Sequence, residues 1–364
     1  MPYTETRFMK PVSQKQGFIK HWRKKVKQLP TIYDVAKKAG VSPSTVSRVL
    51  NEPSRVQIEK RKLVLDAINE LNFVPKADAV ALARKQYKKI GVIAPFFTQP
   101  SFMQRLRGVS AVLSGHHYEL VVYAIESTKE LDEYVDMLAS SKRVDGLIVL
   151  CLNMSDASLI TLKLSGIPVC FVEADVPGFD SVVVDNYKGG WLAGEFLWNK
   201  GYSKPGFIGE ASQRDFAVPA TDLRLEGFKN YFAKQSIEVK TGNIWLGEFS
   251  EEQVEIGVEK TILRKNRPDC IFTSSDMIAI RVMRHVARKG IEVPKDLGLI
   301  GFDDLDIAEY LNLSTISQSL DESGRLAAEM VLDRLREPKR EVRKIFVPLR
   351  VIERDNTEQK VPEK

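Results

Sequence analysis

Apolar residues recur at helical spacing in the N-terminal quarter of the chain and predict three short helices. The first has Thr31 as its N-cap and ends at Gly40. The second begins at Ser42 with Pro43 in its first turn, and the third covers about 57–72. The positions expected to face a common core are Ile32, Val35, Ala36, Ala39, Val46, Val49, Leu50, Ile58, Val64, Leu65, Ile68 and Leu71. Two helices joined by a short turn that contains a glycine are typical of a helix-turn-helix.

After position 89 the pattern changes to apolar strands that alternate with helices. The predicted strands cover 90–94, 120–123, 146–150 and 169–172, and a similar series restarts at 206–209, 269–272 and 297–300. This alternation is typical of βαβ units in a parallel sheet. The sequence therefore predicts an α/β protein, in which an all-α helix-turn-helix head-piece precedes two tandem Rossmann-like lobes. Ligands of such sheets bind in a cleft at the carboxyl ends of the strands.

The charge is distributed unevenly along the chain. The first 89 residues hold 20 Lys and Arg against 7 Asp and Glu, whereas the remainder holds 34 against 41, which gives the overall net charge of +6. A basic N-terminal quarter joined to an acidic body indicates a polyanionic partner for the first part. Residues 1–30 are polar and basic, and we expect them to form a disordered arm.

Several protein classes are excluded by what the sequence lacks. No stretch approaches the roughly 20 apolar residues of a membrane span, and no signal peptide is recognisable, so we expect a cytoplasmic protein without a membrane partner. Cys151, Cys170 and Cys270 lie in apolar runs and are expected to be buried, reduced thiols. We find no metal-ligand spacing, phosphate-binding glycine loop or nucleophile elbow, so no metal, cofactor or enzymatic activity is expected.

The polar face of the second predicted helix has the chemistry of a DNA-reading surface. Short hydroxyl side chains at its N-terminus can approach phosphates and base edges, and arginine is the side chain that most often reads guanine. The residues on this face are Ser42, Pro43, Ser44, Thr45, Ser47 and Arg48. Because the basic excess coincides with this helix, a DNA-binding role is favoured over a merely solvated helical hairpin.

Five ordered motifs give the chain a resemblance to the lactose-repressor/galactose-repressor (LacI/GalR) family. They are Thr31–Ala36 with Val41–Asn51, Leu71–Pro75, Val184–Gly190, Arg224–Phe228 and Gly301–Asp304. The resemblance covers roughly Thr31 to Asn356, and it implies lobes of the periplasmic-binding-protein type.

The resemblance implies a set of DNA contacts. Pro43, Ser44 and Arg48 match base-reading positions of the family, and the phosphate-facing positions are matched by Tyr33, Thr45, Ser47, Asn51 and Arg55. Residues 76–89 correspond to the hinge helix and linker, in which Ala79 lies on the apolar face and Leu82 is the minor-groove wedge. Lys76 and Val80 depart from the usual asparagine and arginine of that hinge.

The resemblance also implies a small-molecule site in the cleft. The matching residues are Phe97, Phe102, Glu173, Arg224, Phe249, Ser275, Asp303 and Gln318. Flat aromatic rings combined with carboxylates, an arginine and an amide fit a sugar or a nucleoside. Glu173-Ala174 and Ser275-Asp276 replace the frequent Asp-Arg and Asn-Asp pairs of the family, so no particular ligand is carried over.

Together these features predict a transcription regulator, in particular a repressor. It is expected to bind double-stranded DNA as a homodimer on a pseudo-palindromic operator, under the control of a small effector, in particular a sugar. The expected domains are an arm (1–30), the helix-turn-helix domain (31–75), the hinge and linker (76–89), a two-lobed effector-binding and dimerisation domain (90–356) and a polar tail (357–364). The alternatives are the same architecture with a nucleobase or nucleoside corepressor or without a ligand, a two-lobed sugar-transport protein, and an enzyme on the two-lobed fold.

Overall fold

The computed structural model describes residues 30–74, 86–211 and 215–357. The predictions for the arm up to position 29, for the hinge residues Lys76, Ala79, Val80 and Leu82, and for the tail from position 358 lie outside these residues. The chain divides into two compact units that meet in sequence at Tyr87 and Lys88.

The first unit is the three-helix head-piece. It contains α1 (Ile32–Ala39), α2 (Pro43–Asn51), a short 3₁₀ turn and α3 (Ile58–Leu71). Thr31 caps α1 in a reciprocal capping box with Asp34, whose carboxylate accepts a hydrogen bond from the Thr31 backbone N–H at 2.8 Å. Gly40 ends α1 in the left-handed region (φ 66°), where glycine carries no Cβ penalty. The predicted helix starts and stops are therefore those of the structure.

The core of the head-piece corrects part of the predicted apolar face of α3. Val35, Val46 and Val64 are buried. Ile58 and Leu65 were expected to face inward, but they are 84% and 41% exposed. Ile58 lies in the first turn, and Leu65 points about 100° away from Val64 around the helix axis, so neither side chain reaches the facing helices.

The second unit consists of two lobes, each built around a six-stranded sheet. The strands of lobe 1 are β1 (Lys89–Pro95), β2 (Glu119–Ile125), β3 (Gly146–Leu150), β4 (Val169–Val172), β5 (Asp180–Val183) and β11 (Lys344–Phe346). The strands of lobe 2 are β6 (Pro205–Glu210), β7 (Ile244–Gly247), β8 (Cys270–Thr273), β9 (Gly298–Asp303), β10 (Thr315–Ser317) and β12 (Arg350–Ile352). Each sheet lies between two buried apolar clusters, one on each face.

Helices cover both faces of each sheet. Lobe 1 carries α4 (Pro100–Gly115), α5 (Thr128–Ser141), α6 (Asp156–Ser165) and α12 (Leu320–Arg336). Lobe 2 carries α7 (Asn186–Asn199), α8 (Ala220–Lys234), α9 (Glu251–Thr261), α10 (Asp276–Arg288) and α11 (Asp306–Tyr310). The two-lobed α/β architecture predicted from the sequence is thereby confirmed.

The two sheets have the same strand order and differ only in the direction of one edge strand. Their strand orders are β11-β5-β4-β3-β1-β2 and β12-β10-β9-β8-β6-β7, and all neighbours are parallel except β12, which runs antiparallel to β10. Each strand of lobe 1 thus has a counterpart in lobe 2, with β1 matching β6 and β4 matching β9. The chain passes between the lobes three times, after β5, after β10 and after β11.

One helix pair in each lobe packs with its backbones in contact. A Cβ atom added at Gly324 of α12 would lie 2.1 Å from the Arg105 carbonyl oxygen of α4. In lobe 2, a Cβ added at Gly190 of α7 would lie 1.8 Å from the Arg224 carbonyl oxygen of α8. Both positions therefore require glycine, because any other residue would push the two helices apart.

Two findings complete the fold. Cys151, Cys170 and Cys270 are buried thiols that form no disulfide, as predicted. Among the described residues, no helix has the length and apolar composition to cross a membrane, and no cluster of three or more metal-ligating side chains is found.

Candidate functional sites

The polar face of α2 is open to solvent. Ser42, Pro43, Ser44 and Arg48 are exposed, as are Tyr33 of α1 and Arg55 of the 3₁₀ turn, whereas Thr45, Ser47 and Asn51 are half-buried. Ser42 caps α2 by accepting a hydrogen bond from the Thr45 backbone N–H at 3.2 Å, and its hydroxyl lies 2.8 Å from that of Ser44. A helix N-terminus lined with hydroxyl groups is suited to contact phosphate oxygens.

Arg48 and Arg55 differ in their surroundings. Arg55 forms an ion pair with Glu52 at 2.8 Å. The guanidinium of Arg48 makes no hydrogen bond or ion pair with other residues of the described head-piece, and it extends from the solvent-facing side of α2. Of the two arginines, Arg48 is therefore the one whose donors are free to read a base edge.

A second candidate site is a cavity of about 510 Å³ between the two lobes, at the carboxyl ends of their strands. Seven of the eight residues predicted from the family resemblance line it, namely Phe102, Glu173, Arg224, Phe249, Ser275, Asp303 and Gln318. Phe97 does not line it, whereas its neighbour Phe96 does, and both rings pack against the core of lobe 1. The backbone of Phe96 is left-handed at this point, with a φ of 47°.

The floor of the cavity contains a buried arginine that the sequence analysis missed. Arg105 of α4 is 2% exposed and forms an ion pair with Glu173. Its guanidinium also donates hydrogen bonds to Gln318 Oε1 (2.9 Å), Ser323 Oγ (3.3 Å) and Cys151 Sγ (3.3 Å). Burial disfavours the charged form of Arg105, but the nearby acidic groups, Glu173 and Asp303 among them, outweigh it and raise the pKa of Arg105.

Arg224 of α8 approaches the same cavity from lobe 2. It donates to Asn186 Oδ1 (2.8 Å) and to the Ser274 carbonyl (2.6 Å), and its guanidinium stacks 3.6 Å from the centre of the Phe302 ring. Burial lowers the pKa of Arg224, although Asp303 and Glu173 oppose this effect. The side chain is thus held in one orientation before any ligand binds.

Two carboxylates of the floor respond differently to burial. Burial would raise the pKa of Glu173, but Arg105 and Arg224 outweigh it and hold that pKa below its usual value. Burial raises the pKa of Asp303 to about 6, although Arg224, Arg105 and the hydrogen bond from Gln318 Nε2 (2.6 Å) act in the opposite direction. Asp303 is therefore a carboxylate that begins to take up a proton just below neutral pH.

This raised pKa predicts a pH dependence of stability. Because the folded pKa of Asp303 is about 6 and its ordinary value is 3.8, the folded state holds more protons than the unfolded state between these values. The stabilising contribution is present below pH 4 and is lost as the pH rises through 6. We expect the difference in free energy of unfolding between wild type and Asp303→Asn to fall over this range in urea titrations. A difference in free energy of unfolding that does not change with pH would contradict this prediction.

The cavity is surrounded by strained backbone. Four non-glycine residues of its lining have positive φ, and they are Phe96 (47°), Cys151 (55°), Glu173 (66°) and Asp303 (120°). Such conformations cost about 1–3 kcal/mol each and cluster where side chains must be aimed at a ligand. The strain supports the cavity as a binding site.

Comparisons with known proteins agree with this architecture. Residues 31–76 match the family described as bacterial regulatory proteins, lacI family, and residues 195–357 match the periplasmic binding protein-like domain. The chain is 31% identical over 326 residues to the ribose operon repressor of Haemophilus influenzae, which covers 88% of this chain and 96% of the relative. It is 32% identical over 333 residues to the repressor PurR of Edwardsiella ictaluri, and this match covers 90% of this chain and 96% of the relative.

A solved structure shares the fold of most of this chain. The LacI family transcriptional regulator of Enterococcus faecium, determined with bound ribose, is 26% identical and has a TM-score of 0.67. The match covers 75% of this chain and all of that structure.

Proposed function

This chain belongs to the LacI family of bacterial regulatory proteins, and from that premise we propose that it is a transcriptional repressor controlled by a small effector in the interlobe cavity. The relatives to which it is similar are transcriptional regulators and not enzymes. We assign no catalytic step to this chain, and we place its action in the cytoplasm, where bacterial DNA lies. Residues 31–75 bind DNA, 76–89 form the hinge with Ala79 and Leu82 at the minor groove, and 90–356 bind the effector and dimerise.

The observation that carries the effector assignment is the arrangement of Arg224 and Asp303. Both side chains are buried on the cavity wall, and each is oriented by its own hydrogen bonds to the protein. One offers N–H donors and the other offers carboxylate acceptors, which fits the hydroxyl groups of a sugar. The ribose operon repressor and the ribose-bound regulator among the similar proteins support a sugar, and ribose is the first compound to test.

A nucleobase or nucleoside remains the second candidate effector. Phe96 and Phe102 of lobe 1 and Phe249 of lobe 2 line the cavity, and flat rings of this kind stack on a base as well as on a sugar face. The decisive experiment selects operator fragments from genomic DNA with the purified protein and then titrates ribose, glucose, cellobiose, hypoxanthine and inosine. A compound that changes operator affinity identifies the effector class. An operator that responds to none of them favours a regulator without a ligand.

Direct reading of the operator by α2 gives a prediction for Arg48. Because a base-edge contact is lost, Arg48→Ala is expected to weaken operator binding by about 1–3 kcal/mol and to leave binding to random DNA nearly unchanged. The matched control is Arg55→Ala, which removes a phosphate contact and should weaken both kinds of DNA equally. Fluorescence anisotropy with operator and random duplexes at one salt concentration measures both. Equal losses for Arg48→Ala would assign it to a phosphate.

An exposed apolar patch supports a homodimer. Arg107 of α4 and Asp306 of α11 form an ion pair at 2.6 Å, which joins the two lobes at the surface. Met103, one turn before Arg107, and Ile307 and Tyr310, on α11, are all exposed beside this pair, and Tyr310 is 86% exposed. A second copy of the chain is the partner expected to cover this patch.

The dimer proposal predicts the effect of a charge in the patch. Tyr310→Asp should keep the fold, because the ring is exposed, and should raise the dimer dissociation constant at least about tenfold. The matched control is Leu164→Asp on α6, an equally exposed apolar residue outside the patch. Sedimentation equilibrium measures the dimer dissociation constant of both variants. Unchanged dimerisation of Tyr310→Asp would place the interface elsewhere.

A further inference from the structure

The two arginines of the cavity occupy equivalent positions in the two lobes. Arg105 begins the sequence Arg-Leu-Arg-Gly on α4, which follows β1, and Arg224 begins Arg-Leu-Glu-Gly on α8, which follows β6. Since β1 and β6 hold the same place in their sheets, α4 and α8 are counterparts. The carbonyl of each arginine also packs against a glycine of the neighbouring helix, Gly324 in lobe 1 and Gly190 in lobe 2.

The two carboxylates of the floor are counterparts as well. Glu173 directly follows β4, and Asp303 ends β9, the strand that holds the same place in the other sheet. Both residues have a positive φ. Each lobe therefore presents one arginine and one carboxylate to the cavity from the same two points of its fold.

The equivalent pairs differ in one respect. In lobe 1 the arginine and the carboxylate form an ion pair, which we call closed, whereas in lobe 2 they do not, and we call that pair open. Arg105 is in direct contact with Glu173, and four of its five N–H groups donate to protein atoms. Arg224 forms no ion pair within 4 Å with Asp303 among the described residues, and only its Nε and one Nη make hydrogen bonds there. A ligand thus finds unused donors on Arg224 but hardly any on Arg105.

The open pair selects for the charge of the ligand. A hydroxyl group both donates and accepts, so two neighbouring hydroxyls satisfy Arg224 and Asp303 together. A phosphate or carboxylate group is an acceptor, and the attraction of Arg224 for it is opposed by the repulsion of the neighbouring Asp303. Arg105 adds no net positive charge, because Glu173 already neutralises it. The described lining residues also include the acidic Glu210 and Glu248, so the acidic side chains outnumber the two arginines.

We propose that the closed Arg105–Glu173 pair makes the cavity selective for an uncharged, hydroxyl-rich effector and excludes its phosphorylated or carboxylated form. This inference rests on the proposed effector control and specifies the class of ligand for the same cavity. Arg105 and Glu173 act here as specificity-determining residues, through the charge that each cancels in the other.

Matched pairs of compounds test the inference. Isothermal titration calorimetry at pH 7.5 compares D-ribose with D-ribose 5-phosphate, D-glucose with D-glucose 6-phosphate, and inosine with inosine monophosphate. In each pair whose neutral member binds wild type, we expect the phosphate to bind at least about tenfold more weakly. The selectivity ratio is the dissociation constant of the phosphate divided by that of its neutral counterpart. In Glu173→Gln the charge of Arg105 is no longer cancelled, and we expect this ratio to fall by about tenfold.

Two further variants control for changes in fold. Arg105→Met/Glu173→Met removes both charges and leaves the net charge unchanged, so its ratio should stay close to that of wild type. Glu248→Gln lowers the negative charge of the lining without touching the buried pair, and it should narrow the ratio even where Glu173→Gln does not fold.

The possible results distinguish a failure of the charge selectivity from a failure of the proposed effector control. A phosphate that binds wild type as tightly as its neutral counterpart overturns the inference and leaves effector control intact. An unchanged ratio in folded Glu173→Gln overturns the role of the closed pair. If none of the six compounds binds, the sugar or nucleoside effector itself is contradicted, and the inference falls with it.

Discussion

Arg224→Ala and Asp303→Asn are expected to abolish the response of operator binding to the effector while operator binding without effector is retained. Each substitution leaves the ligand without one half of the donor–acceptor pair in a buried site, which costs about 2–5 kcal/mol of effector affinity. Because effector and operator are coupled by typically about 1–3 kcal/mol, an effector that no longer binds cannot shift operator affinity. Both residues lie far along the chain from the head-piece, so the unliganded DNA affinity should survive.

Operator affinity measured against effector concentration decides this prediction. The matched control is Lys229→Ala, which removes a positive charge from the exposed side of the same helix as Arg224 and should respond like wild type. If the two variants respond normally, Arg224 and Asp303 are structural and the effector binds elsewhere. If they lose DNA binding without effector, their role is to hold the lobes in register.

Arg105→Met is expected to destabilise the second unit by about 3–5 kcal/mol, because it leaves the carboxylate of Glu173 buried without its partner. Arg105→Met/Glu173→Met should recover most of this loss, since replacing both members of a buried ion pair with apolar side chains is often neutral or stabilising. Chemical denaturation followed by far-UV circular dichroism measures both.

Arg107→Met provides the matched control on the same helix. Arg107 forms ion pairs with Asp306 and Asp321, but its side chain is exposed, and exposed ion pairs contribute roughly 0–1 kcal/mol. If Arg105→Met destabilises the protein no more than Arg107→Met, the Arg105–Glu173 pair does not stabilise the fold. If the double variant is as unstable as the single one, packing and not charge explains the loss.

The strands that form clear apolar runs were predicted from the sequence, the edge strand β2 among them, whereas the short strands β5, β7, β10, β11 and β12 were not. A strand such as β3 is buried on both faces, so it appears as a continuous apolar run with a clear beginning and end. The strands β7, β10, β11 and β12 are only three or four residues long, and several alternate polar with apolar positions. Their strand conformation depends on a neighbour in the sheet, which local sequence does not reveal.

The residues of the cavity were predicted largely through the family resemblance, and there is a physical reason why the prediction missed Arg105. Arg105 and Arg107 lie two positions apart on one helix, and charged residues of a surface helix are ordinarily expected to face solvent. Arg107 does so, whereas Arg105 is buried because a carboxylate from a distant strand end compensates its charge. The repeated Arg-Leu-x-Gly sequence in the two lobes was the one signal that pointed to Arg105.

The exchange of Phe96 for Phe97 has a different origin. Both rings follow β1, and the sequence alone does not reveal which of them turns toward the cleft. The backbone of Phe96 is left-handed, and a phenylalanine does not signal such a conformation in the sequence in the way that a glycine would.

Because the backbones of α4 and α12 are in direct contact, we expect these two helices to move as one rigid body. Helices held apart by long side chains can slide as those side chains change rotamer, but a glycine at the crossing leaves nothing to rearrange. The helix α12 begins two residues after Gln318, which touches both Arg105 and Asp303 on the cavity floor. We therefore expect a bound molecule that displaces Gln318 to move α12 and α4 together, and α4 carries Met103 and Arg107 at the surface proposed to meet the second subunit.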